Sequence, residues 1–324
     1  MKNFKSITHI LLAISTLIAF CSLSSAQTFP TKPIRMIVPS PPGGGAEFII
    51  RPIAEKMAEK LGQPIVLDFR PGAGLTIGTA IAAKANPDGY TLLEGIISPL
   101  AINVTLYKLP YDPVKDFTPI SLIARLPAVL VLHPSIPAQN LKELIALAKK
   151  HPGKLTYGSA GIGTSGNLFA ELFKIRAGVN ILHVPYKGGG PAIIALLSGE
   201  ISMEISGTAG SIQHIKSGRF RAIAVTGAKR SPVLPDVPTM IESGIPVEGT
   251  AWYSVVAPAG TPALIVNQLR DAVIYAVESP RVSQILLDQG AVPETSTPEE
   301  LRDLISSEIV KWAEVIKLSG IKPQ

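Results

Sequence analysis

The chain has 324 residues, 46% of them hydrophobic and 17% charged, with a formal net charge of +6. That is enough apolar material for two cores, and its scattered Lys and Arg residues form none of the dense basic faces that a nucleic-acid partner requires. The single cysteine, Cys21, falls in a leader expected to be removed, which excludes disulfides, thiol nucleophiles and cysteine metal sites from the mature chain.

Lys2 and Lys5 precede an uncharged apolar run, Ile10 to Phe20, followed by Ser24-Ser25-Ala26. This pattern predicts a secretory signal peptide over residues 1–26, cut before Gln27, rather than a membrane anchor, which needs about 20 apolar residues. Phe20 before Cys21 is too bulky for a lipoprotein signal. The mature chain is expected in the periplasm, with its charge lowered to +4 by loss of the two lysines.

A β-branched run, Ile34 to Val38, reads as a strand that Pro39, Pro41 and Pro42 terminate. Gly43-Gly44-Gly45 then opens a helix over Ala46 to Leu61, and such a turn aims free backbone N–H groups at a small anion. A tightly packed turn without a ligand reads equally well from these residues alone. Glu47 could cap its own helix, pair with Arg51 or bind a ligand's amine; capping is the favoured reading.

Further along, Pro64–Phe69 and Tyr90–Ile96 read as strands around a helix over Leu75–Ala85. Strands follow at Val129–His133, Leu155–Ser159, Ile181–Val184, Ile201–Ser206 and Arg221–Thr226, with helices over Asn140–Lys150, Asn167–Ala177 and Pro191–Ser198 between them. The alternation predicts an α/β fold of mostly parallel sheets with helices on both faces. A β-rich run over Thr250–Pro258 precedes three amphipathic helices, Ala263–Glu278, Arg281–Asp288 and Pro298–Leu318. Two proline-and-turn regions, Leu109–Pro127 and Ser231–Pro246, read as paired crossovers between two lobes, residues 27–126 with 250–324 and residues 127–249.

The segment Gly158 to Gly166 contains Gly161-x-Gly163-x-x-Gly166 between a strand and a helix, as dinucleotide sites do. The ribose-binding acid expected about 20 residues on is missing, because the next strand ends His183-Val184-Pro185-Tyr186-Lys187. Three hydroxyls, Ser159, Thr164 and Ser165, suit a small carboxylate better than a pyrophosphate. Ser165 also lacks the second glycine of a nucleophile elbow, and His133, His151, His183 and His214 are solitary. His133 and His183 end strands and read as hydrogen-bonded structural histidines. No enzyme, metal or cofactor is expected.

The segments KPIRMIVPSPPGGGAE, LGQPIVLDFRPGAG, NPDGYTLLEG, YDPVKDFTPISLIA, KLTYGSAGIGTSGN, HVPYKGGGPA, RFRAIAVTGAKRSPVLPDVPT and TAWYSVVAPAGTP together resemble the Bug receptors, the periplasmic substrate-binding proteins of tripartite tricarboxylate transporters. The likeness spans essentially the whole mature chain. It implies a two-lobed periplasmic binding protein of type II-like fold, a small carboxylate clasped between the lobes, and delivery to a two-component integral membrane permease. A monomer is expected.

Carried onto this chain, the resemblance implies a first-lobe loop of Ser40, Pro42, Gly43, Gly44 and Glu47, and a second-lobe loop of Ser159, Gly161, Gly163, Thr164, Ser165 and Asn167. Ser98, Tyr186, Lys187 and Ser206 are their expected neighbours. Ala46-Glu47 stands where the family commonly has Thr-Asp, Asn167 where it has His, and Ser206 where an Asp often ends the strand. Ser206 in place of an acid implies a carboxylate ligand without an amine. Closure would hinge near Leu126 and Gly249. A ligand sensor of the same fold and a secreted hydrolase using Ser165 are the alternatives.

Overall fold

A computed structural model describes residues 29–43 and 45–322, so the leader, its cleavage point and Gly44 lie outside the described residues. From Lys32 onward the chain forms one unit. Its first half opens with β1 (Ile34–Val38), α1 (Gly45–Leu61), β2 (Ile65–Phe69), α2 (Thr76–Ala83) and β3 (Thr91–Ile96). A π turn over Ser98–Ile102 runs into the short α3 (Asn103–Leu106), and β4 (Phe117–Leu132) follows. The second half holds α4 (Leu141–Lys150), β5 (Thr156–Ser159), α5 (Ser165–Ala177), β6 (Leu182–Pro185), α6 (Gly189–Leu197), β7 (Met203–Gly207), α7 (Thr208–Lys216) and β8 (Arg221–Val225). The chain returns through β9 (Thr250–Pro258), α8 (Ala263–Val277), α9 (Pro280–Asp288), β10 (Val292–Pro293) and α10 (Pro298–Ser319).

The strands join in the order β2-β1-β3-β9-β4-β7-β5-β6, with β8 and β10 also on β4. The expected parallel pairs are present: β1 with β2 and β3, and β5 with β6 and β7. Antiparallel pairs of β9 with β3 and β4, and of β4 with β7 and β8, fill the middle. One strand therefore serves both halves. Phe117–Pro127 of β4 pairs with β9, and Ala128–Leu132 pairs with β7.

This corrects the reading of Leu109–Pro127 as proline-and-turn throughout, because β4 begins at Phe117. Register shifts near Pro119 and between Leu122 and Ala124 absorb the proline, and the segment is almost wholly buried, so its backbone must pair. A second correction is α7, where Gly207-Thr208 and Gly210-Ser211 carry turn chemistry that masks a helix. Buried Ile212 and its neighbour Ile215, three residues on, pack that helix into the core of the second half.

The return crossing lies beside the outward one. Thr226 N–H donates to the Ala128 carbonyl at 2.8 Å and Gly249 N–H to the Thr226 carbonyl at 3.0 Å. Phe169 of α5 packs on Trp312 of α10, ring centroids 5.4 Å apart, which ties a second-half helix to the C-terminal one. Among the described residues no helix is long and apolar enough to cross a membrane.

Candidate functional site

A cavity of about 230 Å³ opens where the two halves meet, small enough for a ligand of a few carbons. Its wall takes Gly45 from α1, Leu126 and Ala128 from β4, Ala251 and Tyr253 from β9, and Ser159 with Thr164 to Gly166 from the β5–α5 loop. Phe169, Gly189, Ile193 and Glu204 to Gly207 complete most of the rest.

Besides α1, which starts at Gly45, three helices begin on this wall, α5, α6 and α7, and the residue before each of these, Thr164, Gly188 and Gly207, makes no side-chain cap. Their first-turn N–H groups therefore remain available to an anion, with the helix dipoles adding partial positive charge. Gly166 makes this possible at α5, since a Cβ there would stand 2.5 Å from the Ile205 carbonyl oxygen. Among the described residues no Lys or Arg is on the wall, so backbone amides, with the Ser165 hydroxyl, supply its anion-binding capacity.

The β5–α5 loop is held in shape by its own side chains. Ser159 Oγ and His183 Nε2 are 2.7 Å apart, and the Ser159 hydroxyl also receives the Gly161 N–H at 3.2 Å. Thr164 donates its hydroxyl to the Gly161 carbonyl at 2.7 Å. Asn167, buried, accepts the Gly163 N–H at 3.1 Å and donates to Tyr157 Oη at 2.8 Å. Tyr157 in turn donates to Glu171 at 2.5 Å and stacks on His183. Burial and the Glu171 carboxylate hold the Tyr157 phenol protonated, and burial lowers the His183 pKa, favouring neutral imidazole.

Of the residues expected at the site, the cavity brings together Ser159, Thr164, Ser165 and Ser206. Gly161, Gly163 and Asn167 shape the loop behind it. Pro42 and Gly43 are exposed, and Glu47, in the first turn of α1, turns back to the loop before the helix and forward to Arg51. It accepts the Gly43 N–H at 2.6 Å and pairs with Arg51, contacts that lower its pKa. Ser40 and Ser98 are buried off the wall. Tyr186 donates to Glu200 at 2.8 Å, its phenol pushed up to about 12 by burial and that carboxylate, and Lys187 is exposed away from the wall. Ser165 has no histidine hydrogen-bonded to it among the described residues.

Sequence reasoning missed four residues. Glu204 is 1% exposed on the wall, and Oε2 of its carboxyl has no hydrogen-bond partner. Burial raises its pKa to about 7. Tyr253 lines the opposite side from β9, its phenol raised by burial and by the nearby Glu94. Glu94, fully buried on β3, has both carboxyl oxygens unpartnered and a pKa well above the ordinary carboxylate value. Asn103 donates to the Gly74 carbonyl at 2.7 Å, and its Oδ1 sits 3.1 Å from where a Gly163 Cβ would be. Strand alternation could have found Glu204, which shares a face with Ser206. No group of three His, Cys, Asp or Glu among the described residues could hold a metal.

A family model described as the tripartite tricarboxylate transporter family receptor matches residues 49–321. The chain belongs to that receptor family. It is similar to Protein BugT of Bordetella pertussis, 39% identical over 98% of this chain and 99% of that one. Among solved structures, the tripartite tricarboxylate receptor resembles R. palustris Rpa4515 with adipate at 36% identity and TM-score 0.85, covering 91% of this chain and all of the other. It also resembles MatC from Rhodopseudomonas palustris with bound malate, at 33% identity and TM-score 0.81, covering 89% and 100%. The fold is therefore the two-lobed α/β fold of periplasmic binding proteins, and the receptor role follows from membership of the family.

Proposed function

We propose that this receptor captures a small carboxylate in the cavity between its halves and hands it to a two-component membrane permease. The observation that carries the reading is the meeting of three uncapped helix N-termini with the Ser165 hydroxyl on a wall that, among the described residues, has no Lys or Arg. Amides prearranged in this way bind a carboxylate without the reorganisation a flexible cation would need. Relatives solved with adipate and with malate support the ligand class.

The lobes are residues 27–126 with 250–324, and 127–249. The ligand closes them by binding the closed form more tightly, and the rotation is absorbed where β4 and the return crossing run together near Leu126 and Gly249. The mature chain, cleaved near Ala26, works in the periplasm as a monomer.

A thermal-unfolding screen of refolded protein against mono-, di- and tricarboxylates, aromatic acids and nucleotides tests this. A ligand at 100 times its dissociation constant adds about 2.7 kcal/mol, a rise of about 4–5 °C in midpoint for a chain of this size. A shift confined to carboxylates is expected. A shift with nucleotides alone, or with nothing, would overturn the reading.

A further inference from the structure

The cavity wall has two polar poles of opposite character. One is the set of helix N-termini and hydroxyls already described. The other is Glu204, the only acidic or basic side chain on the wall among the described residues apart from the Tyr253 phenol. Glu204 sits in β7 beside Val131 of β4 and Gly158 of β5, neither of which can donate a side-chain hydrogen bond, and the Ser206 hydroxyl is a nearby donor that bears on its carboxyl. Glu204 lines the cavity, and its buried Oε2 has no partner among the described residues, a cost that a ligand's donor would remove.

A plain dicarboxylate fits this wall poorly. Its first carboxylate would be satisfied by the helix amides, but with no Lys or Arg on the wall among the described residues its second would meet either more backbone or the Glu204 carboxyl itself. A protonated nitrogen there would pair with a buried carboxylate, among the strongest hydrogen bonds available to a small ligand. The sequence expectation of a ligand without an amine rested on Ser206; the acid is present two residues earlier, on the same face of the strand.

We propose that the ligand carries a protonated nitrogen as well as a carboxylate, that the nitrogen lies on Glu204 while the carboxylate lies on the first turns of α5, α6 and α7, and that Glu204 sets this specificity. This rests on the receptor reading above.

Calorimetric titration of refolded protein with matched probes decides it: glutamate against glutarate, aspartate against succinate, and 4-aminobutyrate against butyrate. The nitrogen-bearing member of at least one pair should bind tenfold or more tightly than its partner. Glu204→Leu should abolish that preference, so that the nitrogen-bearing and plain members of each pair bind within about twofold of one another. Glu204→Gln, which keeps the shape, should lose about tenfold for the ammonium ligand, and unchanged circular dichroism of both variants shows that the fold survives.

Equal or tighter binding of the plain acids by the wild type would overturn the proposal and leave the receptor reading standing. So would a preference that persists in Glu204→Leu. Failure of every acid in both sets to bind would overturn the two together.

Discussion

The Thr226 hydroxyl accepts the Ala128 N–H at 3.0 Å and donates to the Gly249 carbonyl, so one buried side chain fastens both strands that cross between the halves. Ala128 is the first residue of β4 to pair with the second-half sheet, and Gly249 immediately precedes β9. The proposed hinge thus has a defined pin. All three residues lie on the second-half side of the crossing, so the pin holds the two strands side by side where a rotation would begin.

Replacing that pin tests its weight. Thr226→Val keeps the shape, loses two hydrogen bonds and leaves a buried N–H and carbonyl short of a partner, which costs about 1–3 kcal/mol of stability. Urea unfolding should show a lower midpoint with an unchanged slope. A midpoint equal to wild type would mean the crossings are held by backbone pairing alone.

Asn167 is expected to act on the ligand through the loop rather than by touching it. Asn167→Ala frees the Gly163 N–H and strands Tyr157 without its donor, at about 1–3 kcal/mol in stability. Ligand affinity should fall further than in Ser165→Ala, which removes one hydroxyl from the wall and leaves the loop intact. Titration of the two variants side by side checks the order.

Gly166→Ala places a methyl group 2.5 Å from the Ile205 carbonyl oxygen, which forces the start of α5 away from β7. Stability should drop by about 1–3 kcal/mol and the best carboxylate should bind at least tenfold more weakly, because the first-turn amides move with the helix. Thermal unfolding with and without that ligand measures both effects.

The raised Glu204 pKa makes stability depend on pH with a definite sign. Its folded value of about 7 lies above the ordinary 4.5, so the fold prefers the protonated acid. The Glu204 contribution is fully present below pH 4.5 and is lost as pH rises through about 7, by up to about 3 kcal/mol. Glu204→Gln should flatten that slope, and denaturant titrations of both proteins at pH 5 and pH 8 measure it. Equal losses in the two would place the titration elsewhere.

Glu94 gives a complementary test, since both of its oxygens are buried and unpartnered. Glu94→Met replaces an unsatisfied carboxyl with an apolar chain of similar length and should stabilise the protein by about 1–3 kcal/mol at pH 8. A loss of stability would show that the carboxyl has a partner in solution.

Most of the fold was legible because its elements announce themselves locally. β1 and β9 fall on the residues their β-branched runs marked, and the caps around α4 and α10 lie where Asn140 and Thr297 stand. The first eleven residues of β4 were not legible, since prolines that normally exclude a strand are accommodated here by register shifts. α7 was hidden because its first turn is made of turn-forming residues and only tertiary packing of Ile212 selects the helix. At the site, the hydroxyl loop was readable from composition. Glu204 was missed, although strand alternation puts it on the face of Ser206, because a lone Glu in an apolar strand carries no motif and its meaning comes from the cavity it lines.

The most direct measurement of the central claim is calorimetric titration of the refolded mature protein with its best carboxylate, followed by chemical analysis of the ligand recovered from the cell. One equivalent bound per chain, with the ligand returned unchanged, is the predicted result. Heat that continues with turnover of the ligand, or no saturable binding of any carboxylate, would contradict it.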